Sequence, residues 1–265
     1  MKIAPGNESY KCDHDGVVAR GVTLTDPELD DALKARLPPL LEDHAGSESL
    51  GKLMGGLSST SFADARLREI LKVPPTQDGW RYGEALAESF LADHRDCEFP
   101  WPSGRDLKNP TASPAGADLV GFVPSGNSHR FAFGEVKTSQ QAVSPPSVMT
   151  GRHGLSKQIE DLRDRSPVKD GLVRYLAFRA TNATWEPRFK AAATTYLDDP
   201  TNVHLFGMLV RDTSPHQDDL RTRTVALAKK RPPSTTIELR AIYLPSASIG
   251  ALATRAASLK PGGGA

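Results

Sequence analysis

Three residues stand out because their types and spacing could do chemistry together. Asp118 opens an apolar run, Asp118-Leu119-Val120-Gly121-Phe122, and Glu135 and Lys137 stand two apart near the end of a second run, His129 to Lys137. In a strand alternate residues share a face, so Glu135 and Lys137 point the same way. The cluster Pro124-Ser125-Gly126-Asn127 between the runs has turn chemistry. A β-hairpin is therefore predicted, with strands at about 117–123 and 129–137. In such a hairpin the start of the first strand lies beside the end of the second. Asp118 then sits next to Glu135 and Lys137, provided the register holds.

Two ionised carboxylates side by side repel each other, and a hard divalent cation removes the conflict. Mg²⁺, or Mn²⁺ in its place, takes oxygen ligands at ~2.1 Å and keeps several waters. The carbonyl of Val136 offers a further oxygen. Water on such a cation loses a proton more easily and can attack a phosphate in line. Lys137 would orient that water or stabilise charge on the phosphate oxygens. These parts suffice for phosphodiester hydrolysis. A Gly-Glu-Val-Lys string on a solvated edge strand, with a simple ion pair, is the competing interpretation of the same residues.

The rest of the chain must position this set. Its 265 residues allow one large domain, with 25% charged and 38% hydrophobic residues, as in a globular protein. The formal net charge is only +1, so any nucleic-acid surface must gather its basic groups on one face. Two cysteines, Cys12 and Cys97, give no support for a disulfide framework. Each lies near a histidine, His14 and His94, but without the local spacing of a structural zinc site. No apolar leader precedes Lys11 and no run is long enough to span a bilayer, so a cytoplasmic protein is expected.

Val17 to Leu24 is rich in β-branched residues. Thr25-Asp26-Pro27-Glu28 has helix-start chemistry and predicts a helix to about Leu41. Residues 46–57 predict a connection, 61–72 a helix, and 79–94 a helix with an apolar stripe through Tyr82, Leu86 and Phe90. An extended segment is expected at 97–103 and a loop up to Gly116, where Asp106 and Lys108 are taken as solvated. Beyond the hairpin, the pattern predicts a loop at 139–154, a helix at 155–165 and a strand at 172–179. A helix at 186–197, strands at 203–211 and 236–244, and a helix at 246–258 follow. The sum is a mixed α/β fold with a central mixed sheet flanked by helices. The expected division is a mostly helical N-terminal extension at 1–78, a core at 79–245, and a C-terminal helix with a disordered tail at 246–265.

The stretches Gly116-Ala117-Asp118-Leu119-Val120-Gly121-Phe122 and Gly134-Glu135-Val136-Lys137-Thr138-Ser139 resemble the core of PD-(D/E)XK nucleases. Ala117 stands where that family's name has proline. The resemblance covers about 80–180 and implies a restriction-endonuclease-like core acting on DNA. It implies Asp118 and Glu135 as metal ligands, with Lys137 serving the water or the phosphate. Glu84, in Arg81-Tyr82-Gly83-Glu84, resembles the acid on the preceding helix that helps hold metal. Gln158, in Ser156-Lys157-Gln158-Ile159, resembles the glutamine that orients the site from the following helix. Arg152, His153 and Lys157, with Arg163 and Arg165 beyond, could contact phosphates, although Glu160, Asp161 and Asp164 are interleaved. Arg221, Arg223, Lys229, Lys230 and Arg231 form a second basic stretch.

The chain has no phosphate-binding G-x-x-x-x-G-K-[ST] loop, no G-x-G-x-x-G fingerprint and no H-E-x-x-H pair. The motif order is similar to that of the nuclease subunit of Hachiman-type anti-phage systems. That similarity implies a helicase or sensor partner. The alternatives are a non-catalytic module binding nucleic acid or a partner on the same fold, and a stand-alone restriction or repair nuclease.

Overall fold

A computed structural model of the chain describes residues 2–57, 60–71, 78–106 and 116–260. The expected tail at 261–265 and Lys108 lie outside the described residues. One six-stranded mixed sheet, in the order β1-β2-β6-β5-β4-β3, organises the molecule. Its strands are β1 (Asn7–Lys11), β2 (Val17–Thr23), β3 (Leu119–Ser125), β4 (Ser128–Ser139), β5 (His204–Arg211) and β6 (Thr236–Tyr243). The four central strands β2, β6, β5 and β4 run parallel, while β1 and β3 pair antiparallel at the two edges. All eight residues of β5 are buried, as expected of a strand covered on both faces.

Helices cover the two faces. The helices of the first half are α1 (Asp26–Asp31), α2 (Pro38–Leu41), α3 (His44–Met54), α4 (Ser61–Leu71) and α5 (Gly79–Arg95). The second half adds α6 (Leu155–Asp164), α7 (Ser166–Ala180), α8 (Glu186–Asp198), α9 (Arg221–Ala228) and α10 (Leu252–Ser258). On one face Tyr82, Leu86 and Phe90 of α5 pack with Ala132, Val136, Phe206 and Met208, and with Leu29 and Leu252 of α1 and α10. On the other face Leu155, Ile159 and Leu162 of α6 pack with Phe131, Phe133, Leu205 and Leu209, closed by Leu176, Tyr196 and Leu227 of α7, α8 and α9. The period-two alternation along β4 divides its residues between these cores.

The predicted mixed sheet flanked by helices is present. The expected boundary at residue 78 runs across this sheet, since β2 lies before it and pairs with β6 beyond it.

Three local expectations are corrected. Residues 172–179 form a helix, not a strand. Ser166-Pro167 starts α7 with proline in its first turn, and Lys169, Leu176 and Ala180 form its buried helical stripe. The predicted connection at 46–57 is largely α3, capped by the Asp43 side chain accepting from the Gly46 N–H at 3.0 Å. No residue of α3 is buried, so no apolar stripe marked it in advance. The single helix expected at 25–41 is broken by the Pro38-Pro39 pair. A wider turn at Ala32–Arg36 precedes the break, and the Leu37 N–H donates to the Ala32 carbonyl. The extended segment expected at 97–103 is present through residue 102, joined to the edge of the sheet by a bridge of Glu98 with Phe122.

Candidate active site

The hairpin register places Leu119 opposite Gly134, so Asp118, one residue before β3 begins, stands beside Glu135. Two residues, Gly126 and Asn127, connect the strands, and Gly126 adopts φ +58°, as a tight hairpin turn requires. Strand β4 continues to Ser139, past the point where β3 starts. Beyond Gly134, the side of β4 that faced β3 therefore has no ladder partner. Asp118 occupies that gap, and its Oδ2 accepts the Val136 N–H at 2.8 Å. In a strand the N–H and C=O of one residue face the same way. The Val136 carbonyl therefore also points into the gap.

Glu135 and Lys137 share a face, and Lys137 Nζ donates to Glu135 Oε1 at 2.6 Å. Glu84 comes from α5, whose backbone crosses close to β4. A Cβ at Gly83 would overlap Thr138 Oγ1, so glycine at this position allows the helix to lie there. Thr138 Oγ1 is itself buried and has no hydrogen-bond partner among the described residues.

Electrostatics set this group apart. Burial pushes Glu84 up to about 8, and the negative charges of Asp118 and Glu135 add to the shift, against a smaller pull from Arg81. Burial and then Asp118 push Glu135 up to about 7, while Lys137 draws it down. Asp118 is raised by burial, opposed by the Val136 N–H and by Lys137. The Asp118 and Glu135 carboxyl groups are neighbours, and the charge of Asp118 acts directly on Glu135. One turn beyond Glu84, burial also raises Glu88, to about 7. It stands four residues after Glu84, on the same side of α5.

The structure brings Glu84, Asp118, Glu135, Val136 and Lys137 together. Gln158 lies on α6, between Leu155 and Ile159, which pack by Gly207, the register partner of Glu135. Its Oε1 is buried with no hydrogen-bond partner among the described residues. Arg152 and His153 are exposed in the loop before α6, and exposed Lys157 is bonded to Asp161 at 2.8 Å. Arg163 is removed from the phosphate-contact candidates. It is buried, pairs with Asp164 and donates to the Leu227 and Lys229 carbonyls, so it ties α6 to the end of α9. Arg231 likewise spends its guanidinium on the carbonyls of Asp15, Pro232, Pro233 and Thr235. Asp106, taken as solvated, is engaged by Tyr175 and Arg179.

Sequence reasoning missed Arg211. Its guanidinium pairs with Asp219, both side chains at 0% exposure, and also donates to the Gln141 and Val143 carbonyls and to Ser144 Oγ. It fixes the loop that leaves β4 after Ser139, two residues beyond Lys137. A lone arginine at a strand end carried no signal of this, because its partners are loop carbonyls.

Hard oxygen donors that repel one another when charged suit a divalent cation such as Mg²⁺ or Mn²⁺. Asp118, Glu135 and the Val136 carbonyl are the residues that would hold it, with Glu84 adjoining. Among the described residues no three His, Cys, Asp or Glu side chains form a ready-made cage. Among the described residues no helix is long and apolar enough to cross a membrane. Sequence comparison matched the chain to no family model and to no curated protein.

Proposed function

We propose that this chain is a divalent-cation-dependent nuclease that hydrolyses DNA phosphodiester bonds on a restriction-endonuclease-like core of the PD-(D/E)XK type. The observation that carries this reading is the set of buried Glu135 and half-buried Glu84 and Asp118, each raised by loss of water around it, with Lys137 bonded to one member. A site of this kind is destabilised by its own charge until a cation joins it. When bound, Mg²⁺ or Mn²⁺ supplies positive charge against phosphate oxygens and makes water more acidic. Lys137 places an ammonium beside the same point, where negative charge gathers on the phosphate in the transition state. Gln158 offers a buried amide oxygen, without a partner among the described residues, to accept a hydrogen bond from water and orient it. Val136 keeps Asp118 turned inward through its N–H.

The resemblance to anti-phage nucleases supports a role in defence beside a helicase or sensor partner. A second reading, a non-catalytic module that holds nucleic acid or a partner protein, is favoured by the lack of a ready-made three-ligand cage among the described residues. The test is to incubate the purified chain with supercoiled and linear DNA in Mg²⁺, Mn²⁺ or EDTA, beside a Glu135→Ala/Lys137→Ala variant. Metal-dependent cutting lost in the variant is the expected result. Equal cutting by both proteins would sink the nuclease reading, and carboxylate-independent DNA binding without cutting would favour the module.

A further inference from the structure

Near the C-terminal end of α5 the sheet face that it covers turns from apolar to basic. Strand alternation puts Arg130 on the side of Ala132 and Val136, His204 on that of Phe206 and Met208, and Glu238 and Arg240 on that of Ile242. Arg95, at the end of α5, donates to Glu238 at 2.8 Å, and Arg240 pairs with the same carboxylate. Glu98, beside the β3 edge, is held by Arg188 at 2.9 Å. The neighbouring acids are thus engaged, and Arg130 has no ion pair among the described residues. Arg130 is half-buried, and burial draws it below its ordinary range.

His204 is 8% exposed, and its ring stacks on Phe206 with centroids 4.1 Å apart. Burial and the charge of Arg130 push its pKa down to about 3, so the imidazole is neutral. Arg130 donates to its Nδ1 at 3.3 Å. A guanidinium only donates, so Nδ1 is the acceptor and the ring proton sits on Nε2. Both His204 Nε2 and Arg130 Nε are buried and have no acceptor among the described residues.

We propose that Arg130 and His204 form a binding site for a terminal phosphate group, free or on a monoester, separate from the Asp118 site. Glu135 lies five residues further along β4, ~17 Å away and on the opposite face. A water molecule accepts the two protons but leaves the guanidinium charge without a counter-ion; a phosphate answers both needs. Arg130 and His204 stand on neighbouring strands ~4.8 Å apart, a gap that the oxygens of one phosphate bridge. The two donors are recessed, so a group tipped with oxygens reaches them, while a diester flanked by two sugars does not.

Thermal unfolding in EDTA, with inorganic phosphate titrated against potassium chloride at matched ionic strength, tests the proposal. EDTA keeps cations from drawing phosphate to the carboxylates. The parent should gain melting temperature along a saturating curve that chloride does not reproduce. Arg130→Gln should weaken phosphate affinity about a hundredfold, and His204→Gln about tenfold, the share of one hydrogen bond to a charged group. Without phosphate, Arg130→Gln should melt no lower than the parent, because it removes a half-buried charge that has no counter-ion; an arginine with a purely structural role would give a lower value. Arg174→Gln, at an exposed position on α7, should leave the phosphate response unchanged. Thymidine 5′-monophosphate in place of phosphate separates the sources: tighter binding than the free ion identifies a nucleotide end, and weaker binding identifies the ion itself. No gain over chloride in the parent, or an equal gain in Arg130→Gln, would overturn the site. Should His204→Gln fail to fold, the half-buried Arg130 still decides the matter.

Discussion

Glu135 and Glu238 are buried to the same degree, each with a side chain 5% exposed, and they respond in opposite ways. Burial works to raise both. Around Glu238, hydrogen bonds and charge from Arg95 and Arg240 overcome that cost and hold the carboxyl below its ordinary value. Around Glu135, one lysine faces a second carboxylate, and the group is pushed up to about 7. The Glu238 region is internally balanced and reads as structure. The Glu135 region lacks positive charge and reads as a place for a cation. Burial alone does not mark a functional carboxylate; an unanswered charge does.

Mutagenesis can break this comparison. The largest expected effect is catalytic: Lys137→Ala should lower metal-dependent DNA cleavage by about 10²–10³-fold, measured as single-turnover rates. Stability should diverge next. Arg240→Ala removes a partner from a buried ion pair and should cost about 3–5 kcal/mol in urea unfolding. Glu135→Gln, without metal, should cost little or stabilise, because it removes a repelling charge. Equal losses in the two variants would end the distinction.

A smaller effect should come from metal. At a concentration of Mg²⁺ or Mn²⁺ a hundredfold above its dissociation constant, binding should add about 2.7 kcal/mol to stability, and Asp118→Asn should abolish most of that gain. The smallest effect sharpens the sign. Glu84 is raised from 4.5 to about 8, so metal-free protein holds more protons folded than unfolded between these values. Its contribution is intact below pH 4.5 and is lost as pH rises through about 8. The melting temperature of Glu84→Gln should therefore gain on that of the parent as pH climbs from 4.5 to 8. A constant difference would show that Glu84 does not feel its acidic neighbours.

Much of the site was legible in the sequence because its logic is local. Glu135 and Lys137 share a face by strand periodicity, and a two-residue turn fixes Asp118 opposite them. The helix carrying Glu84 was visible in its apolar stripe. Helix α7 was misread, since a short apolar run fits either period and the proline at its start was given too little weight. Helix α3 was missed because none of its residues is buried. The Arg211 clamp could not have been read at all. Its meaning depends on carbonyls that only the folded loop brings within reach.

The seam between β2 and β6 has a consequence for the order of assembly. Val18 pairs with Glu238, more than two hundred residues later, so the centre of the sheet closes only after the site's own hairpin has been made. Such distant parallel pairing is slow. Until β2 arrives, β6 presents an open edge lined with Ile237, Leu239 and Ala241. A chain trimmed of β2, or one in which β2 docks late, would carry a finished Asp118–Glu135 hairpin on a sheet prone to pair with its neighbours. Solubility during synthesis, more than the chemistry of the site, would then limit how much working protein a cell obtains.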